Sequence, residues 1–257
     1  MYTVGSLFTG IGGIDLGLER TGGFTVSYQV EKDPWCRRVL KKHWPDVARY
    51  DDITTLDPST LPPVDVLCAG WPCQPVSQAG EQKGTLDDNW LWPYVVKFIR
   101  NVAPRITILE NVSGLFASGR GTTFGQVVGD LASLRYDCEW ALLRADHTVG
   151  APHRRERVWI VAYANHEGQS SLSFDEESRV FVPSLKQRHR RWPSPPKLDR
   201  MAPGIPEGMD RLVGLGNSVI PHTSELIGNR VLTVYKEKNN GHRTTARPQK
   251  RSQRPSA

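Results

Sequence analysis

Ala69-Gly70-Trp71-Pro72-Cys73-Gln74-Pro75-Val76-Ser77-Gln78-Ala79-Gly80 follows a short apolar run, Val64-Asp65-Val66-Leu67-Cys68. That run reads as a buried parallel strand, so Cys73 falls in the loop leaving a strand's carboxyl end, where open α/β sheets place their ligands. Pro72 and Pro75 restrict the backbone on either side of the thiol, which holds it on a constrained loop and out of the core. A buried, inert thiol is the ordinary alternative for an intracellular cysteine. The glycines and prolines around Cys73 argue against it, and a doubly wound sheet becomes the expected fold.

The N-terminal segment fits that fold. Residues 2–8 read as a first strand ending in Phe8-Thr9-Gly10-Ile11-Gly12-Gly13, followed by a helical stretch from Ile14 to Arg20. Strand, glycine turn and helix form the cofactor-binding opening of a doubly wound domain. The spacing is G-x-G-G, and Asp15 stands where the third dinucleotide glycine would fall, which disfavours a pyrophosphate ligand. A second strand over residues 25–30 brings Glu31 to its tip, where an acid accepts hydrogen bonds from ribose hydroxyls. The alternative for Glu31 is an exposed carboxylate capping a helix over residues 33–43. Asp51-Asp52-Ile53 follows a third short strand. Asn89 is the expected cap of a helix with Pro93 in its first turn and Trp92, Val95, Val96 and Ile99 on its apolar face. Residues 105–109 form a further parallel strand that delivers Glu110-Asn111-Val112 at its carboxyl end, so a thiol and a carboxylate converge at one sheet edge. Residues 122–134 read as an amphipathic helix and 136–143 as an alternating strand.

The chain has 257 residues, enough for one substantial core and a small lobe. No secretory leader is visible and no run approaches the ~18 apolar residues of a membrane span. A cytoplasmic protein is expected. Cys36, Cys68, Cys73 and Cys138 match neither a disulfide framework nor a zinc pattern, so free thiols and no metal are expected. The formal charge is +6, and residues 236–257 account for it with seven Lys/Arg against Glu237, leaving 26 basic and 26 acidic residues elsewhere. This basic tail is expected to be disordered, either touching nucleic acid or serving solubility alone. Residues 165–206 change texture: Lys186-Gln187-Arg188-His189-Arg190-Arg191-Trp192 is basic with an aromatic, and several prolines interrupt regular structure. Such a segment suits phosphate and base contacts, or is a solvated loop.

Gly70-Trp71-Pro72-Cys73-Gln74, with Ser77 beyond, resembles the catalytic loop of the cytosine-5 DNA methyltransferases. Glu110-Asn111-Val112 resembles that family's second catalytic block. Ala151-Pro152-His153-Arg154-Arg155-Glu156-Arg157 is similar to its Gln-Arg-Arg-x-Arg block, with His153 in place of Gln. Gly216-Asn217-Ser218-Val219-Ile220-Pro221 resembles its last block. The blocks occur in family order over residues 4–230.

The resemblance implies a class I S-adenosylmethionine-dependent methyltransferase, a Rossmann-like α/β fold whose mostly parallel seven-stranded sheet carries a small target-recognition insertion. It implies four regions: 1–163 catalytic and cofactor-binding, 164–206 target recognition, 207–236 the return of the catalytic domain, and 237–257 the tail. The implied cofactor is S-adenosylmethionine, held by Phe8 on the adenine, the turn of Gly10, Gly12 and Gly13, Glu31 on the ribose, Asp52 (or Asp51) with Ile53 at the adenine, Leu91 through its backbone, and Asn217 and Ser218. The implied substrate is a cytosine flipped out of duplex DNA, met by Pro72, Gln74, Ser77, Asn111 and Val112. Cys73 is the implied nucleophile at carbon 6, Glu110 the partner of ring nitrogen 3, and Arg155 and Arg157 support the carboxylate and reach base and phosphate. The shortness of the chain and its approach to the last block resemble phage and prophage members, and a monomer is expected. The tRNA-methylating branch of the family and a catalytically inert DNA-binding homologue remain as alternatives. No feature of the sequence identifies a target site or a cognate restriction endonuclease.

Overall fold

The computed structural model describes residues 1–72, 90–165, 180–181, 214 and 216–244, with backbone alone from 235 onward. Seven strands, β1 (Tyr2–Leu7), β2 (Phe24–Val30), β3 (Ala48–Tyr50), β4 (Val66–Ala69), β5 (Ile106–Val112), β6 (Tyr136–Arg144) and β7 (Glu156–Ala164), form one sheet. Their order is β3-β2-β1-β4-β5-β7-β6. Only β7 runs against its neighbours. The order turns outward in both directions from β1 and β4, and a crevice opens at such a switch point.

The strands that carry the site are apolar on both faces because both faces are covered. All four residues of β4 are buried, and the first six of β5 are too. One face packs Leu67, Leu109 and Ile160 against Trp92, Phe98, Val127 and Leu131, residues of α3 (Trp92–Val102) and α5 (Thr122–Ser133). The opposite face packs Val4, Ile108 and Trp159 against Ile14, Leu18, Ile227 and Val231, from α1 (Gly13–Arg20) and the helix Pro221–Thr244.

Helix ends follow local chemistry. In α2 (Pro34–His43) Asp33 is the N-cap, its Oδ1 accepting from the backbone N–H of Cys36 at 2.8 Å, and Lys41, Lys42 and His43 fill the last turn. Helix α3 begins at Trp92 with Leu91 as N-cap and no side-chain cap bond. The expected cap, Asn89, lies outside the described residues. The buried face of α3 is Trp92, Val95, Phe98 and Ile99, with Val96 only half-buried. Phe98, three residues from Val95 and six from Trp92, completes the stripe at helical spacing. Short helices α4 (Gly114–Ala117) and α6 (Ala145–Thr148) follow β5 and β6, and the last described helix is α7 (Pro221–Thr244).

Helix α7 corrects one boundary. Expected to end near residue 236, it runs to Thr244, so 237–244 are helical where disorder was expected. Extending an existing helix costs little per residue, and the chain meets no proline before Pro248. Residues 245–257 and most of 164–206 lie outside the described residues, apart from Ala164 at the end of β7, Asn165, and Val180-Phe181 beside the sheet. Val180 is fully buried and its N–H donates to Glu139 Oε2 at 3.0 Å.

Helices α1 and α7 meet backbone to backbone. A Cβ on Gly13 would overlap the Val219 carbonyl, and one on Gly17 would overlap the Pro221 carbonyl oxygen and approach Ser224 Cβ at 2.5 Å. Gly17→Ala is therefore expected to lower stability by about 1–3 kcal/mol through overpacking. Gly129→Ala, on an exposed turn of α5 with nothing within 4 Å of the added carbon, is expected to raise it by up to about 1 kcal/mol. Urea midpoints for the two variants check the pair, and opposite signs are the expected result.

Candidate active site

A cleft of about 560 Å³ opens along the carboxyl ends of β1, β2, β4 and β5. Strand β7 is antiparallel, so its amino end, with Arg155 and Arg157, meets the same edge. Phe8, Glu31, Asp52, Ile53 and Leu91 line one part of the cleft, and Pro72, Glu110, Asn111, Val112 and Arg157 line another.

The glycine turn builds the first part. Phe8, Gly10 and Gly12 take φ of 52°, 58° and 84°. Two of these are glycines, for which the left-handed region is open, whereas Phe8 is a bulky residue held in a conformation that it seldom adopts. Phe8 and Gly10 stand on the cleft wall. Gly12 and Gly13 stand behind it, where a Cβ would meet Trp44 at 2.5 Å and the Val219 backbone respectively. Glu31 accepts the N–H of Gly10 at 2.6 Å and of Asp33 at 2.7 Å. Burial pushes its carboxyl above the usual range while those two N–H groups pull it back. Because Asp33 caps α2, the carboxylate of Glu31 ties the glycine turn to the tip of β2 instead.

Of the two adjacent acids, Asp52 accepts from Lys32 Nζ at 2.8 Å and from Thr54 N–H and hydroxyl at 2.9 and 2.8 Å. The Lys32 bond, followed by those from Thr54, holds its carboxyl at about 2. Asp51 is exposed and pairs with Arg37.

The second part is a buried ion pair. Arg157 Nε lies 3.0 Å from Glu110 Oε1, and the Glu110 side chain is only 10% exposed. Desolvation pushes the Glu110 carboxyl up to about 7, against the lowering pull of Arg157 and then Arg155. A carboxyl with that affinity for its proton exchanges it readily near neutral pH. Asn111 Nδ2 donates to the Trp71 carbonyl at 3.3 Å, which ties the end of β5 to the segment entering Pro72. Arg155 acts elsewhere: its Nη2 donates to the carbonyls of Gly216, at 2.9 Å, and Ser218. It thereby fixes the turn that puts Asn217 on the cleft wall. Ser218 uses its hydroxyl on the Val219 carbonyl at 3.0 Å and is not on that wall.

Cys73, Gln74 and Ser77 lie outside the described residues, and Pro72 on the wall is the last one before them. The sequence reading missed Lys32, Trp71 and Gly214. Nothing in spacing distinguishes Lys32 from a surface lysine, Trp71 was quoted only as part of the Cys73 loop, and Gly214 lies two residues before the last block.

A C-5 cytosine-specific DNA methylase family model matches residues 2–253. Type II methyltransferase M.Bsp6I of Bacillus sp. (strain RFL6) is 33% identical over 176 residues, 68% of this chain and 56% of the relative. Type II methyltransferase M.NgoBI of Neisseria gonorrhoeae is 35% identical over 167 residues, 65% and 52% respectively. The chain spans about half the length of these curated relatives. Among solved structures, an E. coli prophage-encoded protein assigned as a DNA modification methyltransferase superposes with a TM-score of 0.56 at 21% identity, covering 73% of this chain and 52% of that one. A Spodoptera frugiperda DNMT2 mutant gives 0.53 at 22%, covering 66% and 52%. These likenesses show the same class I methyltransferase fold, and with the family match along nearly the whole sequence the chain belongs to the C-5 cytosine-specific DNA methylase family.

Proposed function

We propose that this chain transfers a methyl group from S-adenosylmethionine to carbon 5 of a cytosine flipped out of duplex DNA, with Cys73 as covalent nucleophile. The observation that carries the reading is the buried Glu110–Arg157 pair on the wall of the cleft that Pro72 also lines, one peptide bond from Cys73.

The cleft suits the cofactor. Its volume lies in the range of small-molecule sites. On its wall Glu31, Asp33, Asp51, Asp52 and Glu110 outnumber the cations Lys32 and Arg157, a balance that disfavours a phosphate ligand and suits one bearing positive charge. Phe8 and Ile53 offer an apolar wall for adenine, Glu31 an acceptor for ribose hydroxyls, and Asp52 an ionised acceptor for an exocyclic amine. Leu91 and Asn217 complete the enclosure, and Gly12 and Gly13 support the turn from behind. When bound, the cofactor supplies an electrophilic methyl on a sulfonium.

The residues of this chain do the rest. The Cys73 thiolate adds to carbon 6 of the ring while Glu110 in its acid form donates to ring nitrogen 3, which makes carbon 5 electron-rich. After transfer, loss of the carbon 5 proton expels the thiolate. Arg157 orients Glu110 and offers its remaining guanidinium N–H groups to the base. Asn111 fixes the backbone entering Pro72, and Val112, Gln74 and Ser77 contact the extruded nucleotide. Residues 164–206 choose the target sequence, and the basic residues after 236 add sequence-independent phosphate affinity. The protein works as a monomer in the cytoplasm, on duplex DNA.

Bisulfite sequencing of DNA from cells expressing the protein is expected to show methylcytosine in a fixed sequence context, and cellular RNA is expected to show none; methylation confined to RNA would sink the substrate assignment. Cys73→Ala is expected to abolish transfer with cofactor affinity near normal, and the native protein to be trapped covalently on DNA carrying 5-fluorocytosine. Transfer that survives Cys73→Ala removes the thiol from the reaction.

Glu110 supplies a pH test. Its proton is held to about 7 in the fold against an ordinary value of 4.5, so the folded chain keeps a proton that the unfolded chain has already lost. Its contribution to stability is thus fully present below about 4.5 and is lost as pH rises through about 7. Carbon NMR of the Glu110 carboxyl is expected to titrate near 7, and higher still in Arg157→Gln. A midpoint near 4.5 in the native protein would remove Glu110 as proton donor.

A further inference from the structure

Asp15 has no place in the chemistry above, yet it is the most deeply buried acid on its side of the sheet. It lies in the first turn of α1 at 0% exposure. Ser6 Oγ donates to its Oδ1 at 2.7 Å, Gln29 Nε2 to its Oδ2 at 2.8 Å, and Cys68 Sγ stands 3.9 Å from Oδ1. These partners come from the adjacent strands β1, β2 and β4 and share one face of the sheet.

Among the described residues no cation stands among the influences on this carboxyl. The groups around it are the Cys68 thiol of β4, Glu19 one turn along α1, and Arg49, which reaches only the far Oε1 of Gln29 at 3.4 Å. Helix α7 and the turn before it meet α1 at Gly13 and Gly17 through the backbone of Val219, Pro221 and Glu225 and the side chain of Ser224. Burial pushes the carboxyl up to about 6 even though Ser6 and Gln29 pull it down. The neighbours Ile14 and Leu18 are buried apolar residues, and an apolar side chain at 15 would avoid the desolvation cost of a buried acid. A fully bonded buried polar hub instead specifies one arrangement of the groups it joins.

Both arms of the hub reach residues next in sequence to the cleft wall. Ser6 Oγ, while donating to Asp15, accepts from Thr9 Oγ1 at 3.1 Å, and the Thr9 N–H donates to the Val30 carbonyl at 3.2 Å. Thr9 sits between Phe8 and Gly10, the two left-handed residues of the wall. Gln29 lies two residues before Glu31. We propose that Asp15 is a positioning residue for the cofactor site, fixing through Ser6 and Gln29 the backbone that presents Phe8 and Glu31. This rests on the reading that the cleft takes S-adenosylmethionine.

The test uses the full chain with Asp15→Ala, Asp15→Asn, Ser6→Ala, Glu31→Ala and the double variant of Asp15→Ala with Glu31→Ala. The readouts are KM for S-adenosylmethionine, kcat, calorimetric affinity for S-adenosylhomocysteine, and amide exchange. Asp15→Ala is expected to raise KM and Kd about tenfold with kcat at saturation within about twofold, the signature of lost ground-state binding. Asp15→Asn, of the same shape, is expected to recover most of the loss, and Ser6→Ala to reproduce part of it. The double variant is expected to lose less than the product of the single losses, because one of the two routes by which Asp15 acts passes through Glu31. Unchanged affinity with a lowered melting temperature, or multiplicative losses, would overturn the proposal. Full affinity in Glu31→Ala, or no binding by the native chain, instead overturns the cofactor reading. In that event amide exchange decides: acceleration confined to Thr9, Gly10 and Gly12 in Asp15→Ala or Asp15→Asn upholds the positioning role, and acceleration spread over the sheet ends it.

Discussion

The site depends on the ion pair between Glu110 and Arg157, and that pair depends on one reversed strand. Were β7 parallel to β5, its amino end and its arginines would lie at the far edge of the sheet. Running antiparallel, it sets Arg157 opposite Val112 and Trp159 opposite Glu110. Arg157 and Glu110 are then diagonal neighbours on one face, within reach of long side chains. The guanidinium offsets part of the cost of burying a carboxylate but does not cancel it, since desolvation remains the largest influence on Glu110. What results is a carboxyl poised to hold or release a proton near neutrality, where an isolated surface glutamate would already have lost it.

Charge pairing along the rest of the cleft has a complementary effect. Lys32 is taken by Asp52, Arg37 by Asp51 and Arg157 by Glu110. The acids left over on the described wall are Glu31 and Asp33, both beside the glycine turn. Dinucleotide sites of similar topology use that turn and the helix after it to attract a pyrophosphate. Here the third glycine of the dinucleotide pattern is replaced by Asp15, buried behind the turn, and the strand tip presents Glu31 on the cleft wall, so the turn lacks the uncompensated positive end that a pyrophosphate site uses.

Much of this was legible in the sequence because the signals were local. Strand, glycine turn and helix, the acid at the next strand tip, and Glu110-Asn111-Val112 after an apolar run are contiguous patterns whose position in a doubly wound sheet is nearly forced. What escaped depended on side-chain direction. Arg155 and Arg157 are two residues apart and share a motif, yet one meets Glu110 and the other the carbonyls of residues 216 and 218. Asn217 and Ser218 are adjacent, and only the first faces the cleft. Asp15 read as a missing glycine, because its partners Ser6, Gln29 and Cys68 come from three strands and no spacing rule links them. The cap of α3 was assigned to Asn89 by residue type, whereas the chain begins that helix at Trp92 with Leu91 in the capping position.

Behind the cleft, segments from near the two ends of the described chain meet. Gly13 and Gly17 receive the backbone of residues 219–225, and Ser224 Oγ donates to the Gly13 carbonyl at 3.5 Å across more than 200 residues of sequence. Arg155, from the middle of the chain, pins the turn leading into that helix. The wall bearing Asn217 therefore exists only after the most distant segments have come together. Contacts of such sequence separation form late, since chain closure precedes any gain from them. Helix α1 is only eight residues long, too short to hold in water by itself, so the backbone that packs on Gly13 and Gly17 stabilises the helix and the turn before it together. A cofactor that needs both the turn and the wall would bind the closed chain alone, and its binding would then stabilise the closure that makes the site.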